Sequence, residues 1–410
     1  MKRMEEFTDK YWVTPYNFLD EVRKDLTPPE KVRVHDVTLR ESEQAPFIAL
    51  KPDEKIRIAK ALSNMGAASI EIFPIISEED FEVTRELVRM DLDAKIICLS
   101  RWRREDIDKV LETGAYGVEI EGPINPFFAN AVFGYSEDDI VERFTDVVKY
   151  AKDNGLFTVA LPWDDFKTPL PFLERLYKSV VEIGGADHVG LADTFGHSLP
   201  WTTMWVVNQI KKWIPGIPIE VHAHNDFNLA TTVMISAVAA GASVVHTAVN
   251  AAGERAGNAA TEEVAVALEL LLGVDTGIKL EKLYPVSRLV EELTKQKLAR
   301  NKPIVGSNEF TYQSGMVVDM LTKLKKAGRE HTFMPFQPEL IGREPGYNCI
   351  LGKGVGRTLV QMKMSEMGMT ATREQYAEIA GRVKTESMIW KGEVPLEAFK
   401  EIIEDVLSGK

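Results

Sequence analysis

Cysteine is almost absent from this chain of 410 residues, which contains only Cys98 and Cys349. Two distant cysteines cannot form a disulfide framework, so a reducing, cytoplasmic compartment is the simplest prediction. Neither cysteine has a second Cys or His nearby at metal-ligand spacing, and we expect both to be inert. The first residues, MKRMEEFTDKYW, also lack the apolar stretch of a secretory signal, which again favours the cytoplasm.

Long apolar runs and basic clusters are missing as well. No stretch approaches the roughly 18 apolar residues of a membrane-spanning helix. The 49 Lys and Arg residues against 62 Asp and Glu residues give a formal net charge of −13. Nucleic-acid binding requires clustered Lys and Arg, and the run from Arg101 to Arg104 is short. We therefore expect small-molecule substrates, and neither nucleic acid nor membrane as a partner.

The sequence does contain a repeated pattern, in which a short apolar run rich in Val and Ile precedes a stretch of helical periodicity. Eight runs are predicted strands: 32–37, 69–73, 95–99, 117–121, 157–161, 188–192, 217–222 and 244–249. Such spacing is typical of βα units around a parallel sheet. Eight even units in about 250 residues predict an α/β fold, a TIM (β/α)₈ barrel. A doubly wound sheet is the alternative.

The chain divides where this pattern begins and ends. Residues 1–29 form a predicted N-terminal extension, residues 30–275 the catalytic barrel, and residues 276–410 linker helices and a mostly helical accessory region. Within the last part, the glycine-rich segment 351–356 superficially resembles a phosphate-binding loop. It lacks the strand-loop-helix context and the Gly-Lys-Ser/Thr ending of such loops, so we do not interpret it as a nucleotide site.

Polar residues follow the predicted strands, where barrel enzymes have their active sites. On predicted strand seven, Glu220, His222 and His224 share one face because side chains alternate along a strand. Two imidazoles on an inward face can chelate a divalent ion, and a carboxylate from another strand would complete the set. Glu41, after predicted strand one, is the natural candidate. Three other histidines on predicted strands have no second histidine two residues away and are interpreted as structural: His35, His188 and His246.

Two further loops carry polar groups at the same end of the predicted barrel. After predicted strand eight, Gly253 and Gly257 allow close approach of the backbone to a ligand, and the amide oxygen of Asn258 can reach the metal. A plain βα turn is the alternative, although this loop is longer than such a turn requires. Predicted strand six ends in Asp193 and Thr194.

Taken together, these motifs resemble the DRE-TIM metallolyase superfamily. The matching segments are Asp36-x-Thr-Leu-Arg40-Glu41, His222-x-His224-Asn-Asp and Gly253-Glu-Arg-Ala-Gly-Asn258. The spacing from Leu39 to Gln44, followed by Lys55, resembles the Claisen-condensing branch of isopropylmalate, homocitrate and citramalate synthases. Segments 308–315, 335–342 and 351–353 are similar to the accessory subdomains of those synthases. The resemblance covers about residues 30–365.

The resemblance implies a metal-dependent acyltransferase of amino-acid biosynthesis. Such an enzyme condenses an acyl-CoA, above all acetyl-CoA, with a 2-oxo acid and leaves a 2-hydroxy-2-substituted dicarboxylate and CoA. It also implies a divalent metal (Mg, Mn, Zn or Co) and a homodimer formed through the C-terminal region. A retro-Claisen lyase or carboxyltransferase on the same metal site is the alternative enzyme, and a metal-stabilised barrel that serves as a partner or regulator is the alternative outside enzymology.

The resemblance also implies roles for individual residues. The metal would be held by Glu41, His222, His224 and Asn258. Arg40 would neutralise the developing oxyanion, and Glu220 would orient the metal ligands. The 2-oxo acid would contact Gln44, Arg101, Asp193 and Thr194. The acyl-CoA would approach the loop that contains Gly253, Arg255 and Gly257.

The chain departs from the synthase pattern at several positions. Ser42 and Asn228 stand where the family usually has glycine, and segment 126–130 lacks the histidines common there. Val317 stands where the synthases carry a histidine that helps to enolise the acyl-CoA. Because valine cannot accept a proton, enolisation must use another base, a metal-bound or ordered water, or a neighbouring residue such as Tyr312 or Glu220. This departure favours the lyase alternative, whereas the accessory region, which lyases lack, favours a synthase.

Overall fold

Eight parallel strands close into a barrel, in the order in which they occur along the chain. The computed structural model describes residue 8 and residues 10–409. The barrel strands are β1 (Arg33–Asp36), β2 (Ser69–Ile72), β3 (Lys95–Arg101), β4 (Gly117–Pro123), β5 (Phe157–Trp163), β6 (His188–Asp193), β7 (Ile219–Ala223) and β8 (Val244–Thr247). Pairing of β1 with β8, with His35 opposite His246, closes the cylinder. The TIM-barrel prediction is confirmed, with strand ends shifted by a residue or two, and the doubly wound alternative is wrong.

Helices surround the barrel and bury one face against it. They are α1 (Asp20–Arg23), α2 (Thr38–Glu41), α3 (Pro52–Met65), α4 (Glu78–Arg89), α5 (Arg104–Thr113), α6 (Pro126–Phe133), α7 (Glu137–Asp153), α8 (Leu170–Glu182), α9 (Pro200–Trp213), α10 (Ala230–Ala239), α11 (Thr261–Ala267) and α12 (Leu283–Thr294). In α3, the apolar residues Ile58, Leu62 and Met65 are fully buried, as their helical spacing predicts. The helix ends at Gly66 in a left-handed conformation, the usual stop signal.

The chain forms two compact units, which divide after residue 298. Among the described residues, the first unit includes residues 14–298, and the second includes residues 299–409 with residues 10–13. Helix α12 belongs to the first unit, where the Asn250 amide donates to the Ser287 carbonyl at 2.9 Å. The first unit therefore extends past residue 275, and it also includes part of the predicted extension 1–29. Residues 1–7, 9 and 410 lie outside the described residues.

The second unit is largely helical, as predicted. It contains α13 (Gly315–Lys326), α14 (Arg357–Glu366), α15 (Arg373–Trp390) and α16 (Leu396–Ser408), and the short parallel strands β9 (Thr311–Tyr312) and β10 (Asn348–Cys349). Its core includes Phe399 and Ile403, both fully buried. The glycine-rich segment allows backbone packing, because a Cβ on Gly315 would lie 2.6 Å from the Gly356 Cα. No helix in the described part of the chain is long and apolar enough to cross a membrane.

Candidate active site

Three predicted metal ligands converge at the carboxyl ends of the barrel strands. The Nε2 atoms of His222 and His224 lie 3.5 Å apart. The Glu41 Oε1 atom lies 3.5 Å from the first and 4.0 Å from the second. All three side chains are buried. Two ligands about 2.1 Å from one tetrahedral ion lie about 3.4 Å apart. Glu41, His222 and His224, which we call the metal triangle, therefore have the dimensions of a metal site.

The electrostatics of the triangle also suit a cation. Burial, followed by the charge of neighbouring His224, holds the pKa of His222 well below 6.5. Burial likewise lowers the pKa of His224 despite the opposing effect of Glu41. Both imidazoles are therefore neutral near pH 7, the form that binds metal. Glu41 Oε2 has no hydrogen-bond partner among the described residues, so it is left with lone pairs that a cation would use.

Asn258 is held beside this triangle by the loop after β8. It forms an isolated antiparallel bridge with His224, and its Nδ2 atom lies 3.1 Å from His222 Nε2. Its Oδ1 atom is buried without a partner in the described structure. A Cβ on Gly253 would lie 1.8 Å from that oxygen. Glycine at position 253 is therefore required for this placement of the Asn258 amide.

Gly257 and Arg255 complete the conformation of the same loop. Gly257 has a φ of +81° and its carbonyl accepts the Asn225 N–H at 2.8 Å. The Arg255 guanidinium contacts Asp226 at 2.9 Å and the Thr194 carbonyl at 2.5 Å. The loop predicted to approach the acyl-CoA is thus fixed against β7 and against the end of β6.

Arg40 is the buried cation next to the metal triangle. Its Nε and Nη2 atoms both lie 3.1 Å from Glu71 Oε2. Its Nη1 atom contacts Glu41 and donates to Gln44 Oε1 at 3.2 Å. Burial alone would lower the pKa of Arg40, but the charges of Glu41 and Glu71 raise it above its usual value. The guanidinium is therefore permanently charged and fixed in orientation.

A cavity of about 590 Å³ opens above these groups, and we call it the substrate cavity. Its volume falls within the range of about 300–1,000 Å³ that is usual for small-molecule sites. Eight predicted site residues line it: Arg40, Glu41, Gln44, Arg101, Thr194, His222, His224 and Arg255. Aromatic residues form much of the remaining wall: Trp102, Phe128, Phe133, Tyr135, Trp163 and Phe195. The side chain of Arg101 is half-exposed and paired with Asp106 at 2.6 Å.

Asp193, which the sequence predicts to contact the substrate, accepts hydrogen bonds from residues of its own loop. Its Oδ2 atom accepts the Ser198 N–H at 3.0 Å and the Ser198 hydroxyl at 2.7 Å. Its Oδ1 atom accepts the His197 N–H at 3.1 Å. The side chain is almost completely buried. These bonds shape the turn that presents Thr194 to the substrate cavity, so the carboxylate acts on the loop.

Glu220 lies one layer deeper in the barrel than the metal triangle. Its Oε1 atom is 2.5 Å from His188 Nδ1, and its Oε2 atom is 2.8 Å from His246 Nε2. Burial opposes ionisation of Glu220, but these two hydrogen bonds outweigh it and lower the pKa of the carboxyl group. Its carboxylate therefore contacts His188 and His246, which the sequence analysis interpreted as structural histidines. Tyr312 lies in β9 of the second unit, where its ring contacts Phe333 and Tyr347.

Two carboxylates of the site were not predicted. Glu71, on β2, is the main partner of Arg40, and burial raises its pKa to about 7. Glu121, on β4, lines the substrate cavity, and burial raises its pKa. The spacing of Glu119 and Glu121 on one strand was an available signal, because residues two apart face the same side.

Comparison with known proteins agrees with this architecture. The HMGL-like family model matches residues 31–290, and the model described as homocitrate synthase post-HMGL domain-like matches residues 304–389. The homocitrate synthase of Methanocaldococcus jannaschii is 37% identical over 397 residues, 96% of this chain and 94% of that protein. The (R)-citramalate synthase of the same organism is 38% identical over 354 residues, 86% and 70% of the two chains. Its 2-isopropylmalate synthase is 35% identical over 366 residues, 88% and 69%.

Solved structures share the barrel. The HMG-CoA lyase of Bacillus subtilis aligns with a TM-score of 0.60 at 22% identity, and covers 68% of this chain and 99% of that chain. An HMG-CoA lyase of Acinetobacter baumannii, solved with coenzyme A and 3-methylmalate, aligns with a TM-score of 0.57 at 21% identity, and covers 65% and 92%. At these identities the likeness establishes the fold only.

Proposed function

Because the chain belongs to the HMGL-like family and continues into a homocitrate synthase post-HMGL domain-like segment, we propose that it is a Claisen-condensing acyltransferase. It joins acetyl-CoA to a 2-oxo acid and releases CoA and a 2-hydroxy-2-substituted dicarboxylate. The observation that carries this proposal is the triangle of Glu41, His222 and His224 beside the fixed charge of Arg40. The match over residues 304–389 favours the synthase over the lyase.

A divalent ion fits the triangle. Glu41, His222 and His224 would hold it, with the unpartnered Asn258 Oδ1 as a further oxygen ligand. When bound, such an ion polarises the keto oxygen of a 2-oxo acid as a Lewis acid. The mixed nitrogen and oxygen ligands suit Zn, Mn or Co better than Mg, which prefers oxygen ligands alone.

Arg40 stabilises the charge that develops on the keto oxygen. Its guanidinium is buried and held by Glu71 at 3.1 Å, so it needs no reorganisation during the reaction. Pre-organised donors of this kind act strongly in a site from which water is excluded. Gln44 and Thr194, on the wall of the substrate cavity, are placed to hold the carboxylate of the 2-oxo acid.

Glu121 is the base that we propose for enolisation of the acyl-CoA. Within the described part of the chain, three carboxylates line the substrate cavity: Glu41, Glu121 and Glu254. The first belongs to the metal triangle, and Glu254 pairs with Arg255 at 3.0 Å. Burial raises the pKa of Glu121, which brings a carboxylate closer to the pH at which it accepts protons well.

The proposed reaction balances as follows. Glu121 accepts a proton from the methyl carbon of the acetyl group, and that carbon forms a bond to the keto carbon of the 2-oxo acid. The electron pair of the carbonyl moves to its oxygen, next to Arg40, and that oxygen is then protonated. Water hydrolyses the thioester and releases free CoA. The same proton transfer can be tested in Glu121→Gln, which should exchange deuterium into acetyl-CoA far more slowly than the wild type.

A thiol-release screen tests the proposal. Acetyl-CoA would be incubated with pyruvate, 2-oxoisovalerate, 2-oxoglutarate, oxaloacetate and larger 2-oxo acids, with Zn²⁺, Mn²⁺, Co²⁺ or Mg²⁺. We expect CoA release that depends on one of these acids and is lost in His224→Asn. If no acid releases CoA while a 3-hydroxyacyl-CoA is cleaved, the lyase alternative is correct.

We also propose that the protein is a homodimer formed through residues 276–410, as the resemblance to the synthases implies. Light scattering should give twice the chain mass of 46.0 kDa. A stable monomer with full activity would contradict this assembly.

A further inference from the structure

A second group of imidazole and carboxylate side chains lies inside the barrel, below the metal triangle. We call it the lower cluster, and its members come from five strands: His35, Glu119, His188, Glu220 and His246. All five side chains are buried. The group is separate from the substrate cavity, whose wall includes none of the five. The proposed condensation gives it no task.

Three members of the lower cluster have the spacing of metal ligands. The Glu119 Oε2 atom lies 3.7 Å from His35 Nε2 and 3.7 Å from His246 Nε2. These separations are too long for hydrogen bonds. They match those of the triangle formed by Glu41, His222 and His224, which are 3.5 and 4.0 Å. One ligand atom from each of the three residues can be chosen so that all lie within 4.8 Å of one another.

Several polar atoms of the lower cluster lack hydrogen-bond partners. Among the described residues, neither oxygen of Glu119 has a hydrogen-bond partner, and the same is true of His35 Nε2 and His246 Nδ1. An ionised Glu119 would need donors, whereas a protonated one would need an acceptor. Neither form is satisfied, and an unsatisfied buried group costs about 1–3 kcal/mol or more when charged. A cation would satisfy the Glu119 carboxylate and the lone pair of His35 Nε2 together.

The surrounding contacts orient these ligands. His35 Nδ1 lies 2.7 Å from the Ser69 hydroxyl. When Nδ1 donates its proton to that oxygen, Nε2 presents a lone pair to the centre of the cluster. Glu220 Oε2 lies 2.8 Å from His246 Nε2, the nitrogen that faces Glu119, so an ion bound by that nitrogen would also be within reach of the Glu220 carboxylate. A hydrogen bond from the second ring nitrogen of a ligand histidine to an oxygen is usual around protein metal sites.

An ion can reach the lower cluster from the end of the barrel opposite the substrate cavity. A separate cavity of about 270 Å³ is lined by the residues that begin three strands: Arg33, Ser69 and Lys95. The same cavity is lined by His35, His188 and Glu220. Metal exchange at the lower cluster therefore need not pass through the substrate cavity.

We propose that the lower cluster binds a second divalent transition-metal ion, with His35, His246 and Glu119 as ligands and Glu220 within reach. Imidazole nitrogens with carboxylate oxygens favour Zn²⁺ over Mg²⁺ or Ca²⁺. The ion joins β1, β4 and β8 across the barrel interior. It therefore acts as a structural cross-link, distinct from the ion of the metal triangle.

Metal stoichiometry tests this site. The full chain would be stripped with a chelator, reloaded with Zn²⁺, freed of excess metal and measured by inductively coupled plasma mass spectrometry. We expect two ions per wild-type chain, one in His35→Asn, one in His224→Asn and none in the double variant. One ion per wild-type chain, absent from His224→Asn and kept by His35→Asn, would overturn the second site. Two ions kept by His35→Asn would also overturn it.

A gentler variant guards against failure of His35→Asn to fold. Ser69→Ala removes the hydroxyl that orients the His35 ring and leaves all the proposed ligands in place. Loss of such a contact typically weakens metal affinity 10–100-fold. In a competition titration with a chromophoric chelator, one of two Zn²⁺ equivalents should weaken by that factor. Unchanged affinity for both equivalents would contradict the proposal. Loss of metal in His224→Asn reports on the metal triangle alone. The proposed function and the second metal site can therefore fail separately.

Discussion

Replacement of Arg40 by alanine should separate catalysis from stability. The guanidinium contacts Glu71 twice at 3.1 Å, Gln44 at 3.2 Å and Glu41. Its loss removes a fixed donor to the developing oxyanion, which typically lowers kcat by about 10²–10³, or ~2.7–4 kcal/mol. It also leaves Glu71 buried without its partner, a change that typically destabilises a protein by about 3–5 kcal/mol.

A double variant distinguishes these two effects. In Arg40→Ala/Glu71→Gln the buried charge of Glu71 is removed together with its partner, so the free energy of unfolding should recover most of its loss. The value of kcat should stay low, because the donor is still missing. Arg40→Lys is the matched control, since it keeps the charge but loses the planar fork of donors. Its kcat should be intermediate.

The assays are urea unfolding, steady-state thiol release and metal content of each variant. Metal should remain bound in all three variants, because Glu41, His222 and His224 are unchanged. A kcat of Arg40→Ala within tenfold of the wild type would refute the oxyanion role. Recovery of kcat together with stability in the double variant would refute it too, because Arg40 would then act only through folding.

Two further predictions concern a close contact and a buried acid. A Cβ at Gly253 would lie 1.8 Å from Asn258 Oδ1, so Gly253→Ala should lower kcat/KM at least about tenfold. The control is Gly381→Ala, whose new Cβ meets no atom within 4 Å and should leave kcat/KM unchanged in the same assay. Burial raises the pKa of Asp165 from 3.8 to about 8, so between these values the folded chain keeps a proton that the unfolded chain releases. Stability from this group therefore falls as pH rises from about 4 to 8. Asp165→Asn should reduce that fall, measured by urea unfolding at pH 5 and pH 8, and an identical pH dependence would contradict it.

The barrel and the shared face of His222 and His224 could be predicted because both depend on local pattern. Each strand appears as a short apolar run, and a parallel barrel repeats the pattern at even spacing. His222 and His224 share a face because side chains alternate along β7. The DRE-TIM resemblance is confirmed by the family match and by the synthase relatives.

The depth of a side chain in the barrel could not be predicted in the same way. Alternation gives Glu220 the same face as His222, but it does not give the height at which β6 and β8 present their own residues. The strand register places His188 and His246 beside Glu220. Likewise, His35 and Glu119 are 84 positions apart in sequence (119 − 35), and only closure of the barrel brings them together.

The expected contact of Asp193 with the substrate depends on a loop conformation that the sequence does not fix. A carboxylate at the end of a barrel strand is a good candidate for substrate contact. The same carboxylate is also a good acceptor for the backbone N–H groups of the following turn. In this chain the N–H groups of His197 and Ser198 point to it, and this geometry depends on backbone angles that residue types alone do not fix.

The most direct test of the central claim is detection of the new carbon–carbon bond. Acetyl-CoA labelled with ¹³C at the methyl carbon would be incubated with the 2-oxo acid that gives the fastest CoA release, and the product would be analysed by ¹³C NMR and mass spectrometry. The account predicts a 2-hydroxy dicarboxylate in which the labelled carbon is a methylene bonded to the former keto carbon. Release of labelled acetate with the 2-oxo acid unchanged would contradict it.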